Sequence, residues 1–87
     1  MVIWKYVLEI TDRQTLVMPA GAELLSVANQ NGRLCLWALA DPSKEKVPRC
    51  IEIVGTGNPI PTNPEEIRKF VGTVIIGPFV WHVFEIC

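Results

Sequence analysis

Arg33 and Trp37 stand four residues apart, on one face of any extended strand that contains them both. An indole offers a flat surface for stacking, and a guanidinium on the same face offers directed donors to a phosphate. A second set of donors follows in the stretch GTGN, residues 55–58. Its backbone N–H groups can form an anion-binding concavity, to which Thr56 and Asn58 add side-chain donors. Arg68 and Lys69 supply positive charge just after the same loop. No lysine and no strand-to-helix junction follows GTGN, which excludes a nucleotide-hydrolysing phosphate loop. Each feature also has a plain structural use: Trp37 packing at a subunit contact, GTGN turning the chain, Arg68 and Lys69 solvated at the surface.

The residues for bond-breaking chemistry are poorly arranged. The single histidine, His82, has no serine near it, and a hydroxyl triad would require Ser26 or Ser43 to reach it across the fold. Cys35 and Cys50 lie in apolar runs that suit buried thiols better than nucleophiles. The nine acidic residues are scattered singly or as one adjacent pair, whereas glycoside or metal-dependent hydrolysis needs two converging on a cleft. Three cysteines without a CxxC motif indicate neither a disulfide framework nor a zinc site. The expectation is a binding protein rather than an enzyme, with no catalytic residues, no metal and no cofactor.

The elements that must position these residues are strands. Asn31-Gly32 sits between two apolar runs and favours the positive φ angles of a two-residue type I′ hairpin turn. Pairing Gln30 with Arg33 then sets Val27 against Leu36, Ser26 against Trp37 and Leu25 against Ala38. One face of the ribbon carries Leu25, Val27, Leu34, Leu36 and Ala38 and belongs to the core, since a one-residue slip would turn all of them outward. Residues 2–10 alternate as a first strand, and residues 14–18 form a short second one ended by Pro19. Lys44 to Pro48 reads as a charged loop and residues 49–54 as a strand with Ile51 and Ile53 inward. The run GTGNPIPTNP, with two glycines and three prolines, reads as a rigid, shaped loop. Asn63 can cap one short helical turn over residues 64–69. Residues 70–76 and 79–86 close the chain as a hairpin through Gly77-Pro78, suited to a type II′ turn. About seven short strands with at most one helical turn predict an all-β fold, a compact antiparallel β-sandwich or partly open barrel.

At 87 residues the chain is one β domain, 1–87, close to the size below which a single core barely suffices. Its 49% hydrophobic content and mean hydropathy of +0.30 exceed what so small a body can bury, which predicts a homo-oligomer. The net charge is −1, and the eight basic residues form no block, so duplex nucleic acid is excluded as a partner while a small anionic ligand is not. Lys5 and Glu9 interrupt the apolar start MVIWKYVLEI, which reads as neither signal peptide nor membrane span; a cytoplasmic protein is expected.

The run LVMPAGAELLSVANQNGRLCLWALADP, followed by GTGNPIP and the closing FVWHVFEI, resembles a family of small tailed-phage and prophage proteins of unknown function. The resemblance covers almost the whole chain. Small phage β-proteins of this kind include immune-evasion factors that bind and sequester nucleotide second messengers. The resemblance therefore implies non-hydrolytic capture of a cyclic oligonucleotide signal of bacterial antiphage defence, at sites formed where subunits meet, in the cytoplasm of the infected host. The competing expectation is a structural or assembly protein of a phage particle with no small-molecule ligand. On the residue reading alone, the ligand-binding candidates are Arg33, Trp37, Thr56, Asn58, Arg68 and Lys69.

Overall fold

A computed structural model describes residues 1–87. Asn31 and Gly32 take φ angles of 53° and 83°, the pair of left-handed conformations that the type I′ turn requires. The turn joins β3 (Glu23–Gln30) to β4 (Arg33–Ala40), and the register from Gln30↔Arg33 to Ser26↔Trp37 is the one the dipeptide dictates. The remaining strands are β1 (Val2–Val7), β2 (Arg13–Pro19), β5 (Lys46–Gly55), β6 (Arg68–Ile76) and β7 (Phe79–Ile86). They form two antiparallel sheets, ordered β1-β4-β3 and β2-β5-β7-β6, which pack face to face as an all-β sandwich. Leu34, Leu36 and Ala38 from β4 meet Ile51, Ile53, Val74 and Val83 from the opposite sheet in the main core. These are the period-two positions of strands that each bury one face.

On one side the two sheets nearly touch. A Cβ on Gly72 of β6 would lie 2.7 Å from Val27 Cγ2 of β3, so any larger residue there would have to displace Val27. Asn29 Nδ2 donates to the Ile75 carbonyl at 3.2 Å across the same seam. On the other side β1 and β2 remain sheet edges.

Three local expectations are corrected. Leu24, not Leu25, pairs with Ala38, because a bulge intervenes between Leu24 and Ser26. Leu25 is turned out and exposed, while Leu24 packs against the core. A matching bulge between Phe70 and Gly72 sends Val71 inward and leaves Phe70 facing outward beside Phe84, ring centroids 5.5 Å apart. The helical turn over residues 64–69 does not form. Asn63 does cap a single turn, its Oδ1 accepting from Glu65 N–H and its carbonyl from Glu66 N–H, both at 3.0 Å. Ile67 then exchanges two backbone hydrogen bonds with Cys87, which draws the chain into the β6–β7 ladder instead. Lys46 to Pro48 belong to β5 rather than to a loop. Pro48 is tolerated because β5 there has only β2 beside it, its pairing with β7 beginning at Cys50.

Candidate functional site

A concavity arises where β2 abandons β5. Their ladder ends at Arg13↔Glu52, and one further bond, from Ile53 N–H to the Asp12 carbonyl at 3.1 Å, is the last between them. β5 continues to Gly55 while the chain before Asp12 turns away, which opens a notch. Past Gly55 the chain reverses, Asn58 N–H donating to the Gly55 carbonyl at 3.1 Å. Trp81 stands opposite Gly55 in the β5–β7 register and its ring lies against it. A Cβ on Gly55 would come within 3.2 Å of that ring and 2.9 Å of Asn58 Nδ2. The resulting cavity, about 370 Å³, is walled by Trp81, Asn58, Pro59 and Pro61, with Ile10, Asp12 and Glu52 completing it.

Trp81 and Ile10 also line a second cavity. Arg33, Glu9, Ile10, Ile76 and Phe79 line this more open depression of about 740 Å³. Phe79 stacks on Trp81, centroids 5.7 Å apart and ring planes inclined by 26°. Four connections thus meet around one aromatic pair at the loop end of the sandwich, and both volumes lie in the range of small-molecule sites.

Glu52 lies on the outward face of its sheet yet is only 2% exposed, because two arginines and the returning loop cover it. Arg68 donates from Nε at 2.5 Å and from Nη2 at 3.2 Å, and Arg13 donates from Nε at 3.2 Å. Arg13 also forks onto Glu66 at 2.7 and 2.8 Å, and Arg68 Nη2 reaches the Pro61 carbonyl at 3.0 Å. The hydrogen bonds from Arg68 and then Arg13 hold the Glu52 carboxyl below the ordinary glutamate range, against the desolvation that would raise it. Two arginines and two glutamates balance here. What they leave at the site are three charged side chains with no hydrogen bond or ion pair inside the chain: that of Asp12, a residue lining the smaller cavity, and those of Arg33 and Glu9, which line the larger.

His82 is held at both ring nitrogens, with Thr56 Oγ1 2.7 Å from Nε2 and Thr73 Oγ1 2.9 Å from Nδ1. Each ring nitrogen thus has a hydroxyl partner. The histidine thereby pins the rim of the Gly55 loop to β6.

The six candidate residues separate into distinct places. Asn58 lines the smaller cavity, and Arg33 the larger one, which shares Trp81 and Ile10 with it. Thr56 is on the rim, bound to His82, and Arg68 stands behind the cavity wall, bound to Glu52 and Pro61. Lys69 lines a separate groove with Arg49 and Glu85. Trp37 lies on the outer face of β4 between Lys5 and Ser26, two strand pairs away from Arg33 with Cys35 between. Lys5, not Arg33, is therefore the cation beside Trp37, and its Nζ donates to Gln30 Oε1 at 2.8 Å. The aromatics that share a cavity with Arg33 are Trp81 and Phe79. Reading the residues in sequence missed these two and Asp12, although the Gly77-Pro78 hairpin register already put Phe79 and Trp81 on one strand face.

Residues 1–86 match the family model described as a domain of unknown function (DUF7352), and the chain belongs to that family. No curated protein and no solved structure shows a significant match to it.

Proposed function

We propose that this protein is a non-enzymatic binding protein that captures a cyclic oligonucleotide second messenger, the phage immune-evasion role implied by the sequence resemblance, acting in the cytoplasm of the infected host. The observation that supports the reading is the meeting of Arg33 with the stacked Phe79–Trp81 pair on one depression, next to the cavity lined by Asn58. A nucleotide needs flat apolar surface for a base and a cation for a phosphate, and these residues supply both without any bond-breaking group. Copies associate as a homo-oligomer, for which the supporting observation is apolar surface left outside the core: Ile3 and Phe70 are each 61% exposed and Ile75 64%.

The test is a melting scan with a panel of cyclic di- and trinucleotides. A ligand at about a hundred times its Kd adds about 2.7 kcal/mol, which raises the Tm of a domain this size by about 10 °C or more. Arg33→Ala removes the rise while leaving the ligand-free Tm within about 2 °C, since Arg33 holds no partner in the chain. Recovery of intact ligand after heat denaturation separates capture from hydrolysis. A second reading, a structural or assembly protein of a phage particle, is favoured by β1, an edge strand with Ile3 and Val7 exposed and only Lys5 between them. A panel in which no nucleotide moves the melt selects that reading over capture.

A further inference from the structure

Resting on the capture reading, we propose that the smaller cavity holds the base of the ligand and selects guanine over adenine through Asp12. Trp81, Pro59 and Pro61 line this cavity with apolar rings, the surface against which a base can pack. Selection among bases then depends on polar groups facing the base edge. Of the two acidic residues that line the cavity, Glu52 is consumed by Arg68 and Arg13, whereas Asp12 is exposed and its side chain makes no hydrogen bond or ion pair within the chain.

An ionised carboxylate is an acceptor only, with two oxygens side by side. The Watson–Crick edge of guanine presents two adjacent donors, N1–H and N2–H₂, which match that pair. The edge of adenine presents one donor beside the N1 lone pair, which would face the second carboxylate oxygen. The Asn58 amide, able to donate, suits the remaining guanine carbonyl. In the adjoining depression, which Trp81 also lines, Arg33 stands available for a phosphate, with Glu9 disfavouring a more highly charged one.

The experiment titrates the full chain calorimetrically with cyclic di-GMP and with cyclic di-AMP, for the wild type, Asp12→Asn and Asp12→Ser. The expected result is cyclic di-GMP bound about 10- to 100-fold more tightly than cyclic di-AMP, the discrimination of one bidentate base contact. Both substitutions abolish that preference by weakening cyclic di-GMP, with the ligand-free melting temperature unchanged because the Asp12 side chain bonds to nothing in the fold. Equal affinity for the two dinucleotides, a preference for adenine, or a guanine preference that survives in both variants overturns the assignment and leaves capture standing. Binding of neither overturns the assignment, and capture falls with it only when the wider panel of cyclic di- and trinucleotides also leaves the melt unmoved.

Discussion

Glu52→Gln tests the arrangement that holds the site together. Breaking a fully buried ion pair by removing one partner costs about 3–5 kcal/mol, because the other charge is left desolvated and alone. Glu52 is buried, but its partners are less so: the Arg13 side chain is 36% exposed and that of Arg68 19%. Water recovers part of both guanidinium charges, and the glutamine oxygen keeps one acceptor, which brings the expected loss to about 2 kcal/mol. In a domain of this size that is a fall in Tm of about 8–16 °C. The effect has a signature in pH. Arg68 and Arg13 depress the Glu52 pKa, so its contribution is complete above the pKa of an unfolded-chain glutamate, about 4.3, and fades as pH falls through the lower folded value. Urea unfolding at pH 7 therefore shows the full gap between wild type and variant, and the gap narrows as the pH is taken below about 4. Two results would refute the reasoning: no gap at neutral pH, or a gap of unchanged size in acid.

Gly72→Ala places a methyl 2.7 Å from Val27 Cγ2 and should destabilise by about 1–3 kcal/mol through overpacking. Adding Val27→Ala relieves the clash, so the double variant unfolds at higher denaturant than Gly72→Ala alone; strictly additive losses would mean that β3 and β6 do not meet as described. Ile3→Asp, at an outward and exposed position, should convert an assembled species to a monomer in sedimentation velocity while leaving the circular dichroism spectrum intact. A wild-type chain that sediments as a monomer at micromolar concentration removes the oligomer from the proposal.

Which parts of this structure could be read in advance follows from how local each determinant is. Asn31-Gly32 and Gly77-Pro78 specify their turns by backbone preference, and Asn31, Gly32 and Gly77 all take the positive φ those turns need. The registers of both hairpins follow from the turns until the bulges intervene. The bulges themselves were not readable, because Leu24-Leu25 and Phe70-Val71 are each two adjacent apolar residues, and alternation cannot decide which of such a pair faces in. The site divides along the same line. Residue type alone singles out Arg33 and Asn58, which line the two cavities, but a shared strand face pairs Arg33 with Trp37. The neighbour that matters, Trp81, comes from the opposite sheet, and the stacking of sheets leaves no trace in the period of either. Glu52 did carry a clue: a carboxylate between Ile51 and Ile53 in a strand rich in buried residues requires a cationic partner.

The two bulges have a joint consequence. They lie on the strands that border the seam, β3 and β6, and their residues Leu24, Leu25, Phe70 and Val71 line one groove. A bulge bends its strand and tightens its twist, so a pair at one level can turn both edges toward each other until Val27 meets Gly72. Edge strands otherwise invite pairing with other chains, and this contact disposes of two of the four edges. Of the remaining two, β2 is blunted at one end by Pro19 and at the other by Arg13, which is engaged with Glu52 and Glu66. β1 has no such protection: Ile3 and Val7 flank a single charge, and no strand lies beyond it. Closing the sandwich on one side leaves β1 as the open edge for the proposed association, which is why Ile3, rather than the equally exposed Phe70 beside the closed seam, is the position at which a charge should prevent the proposed assembly.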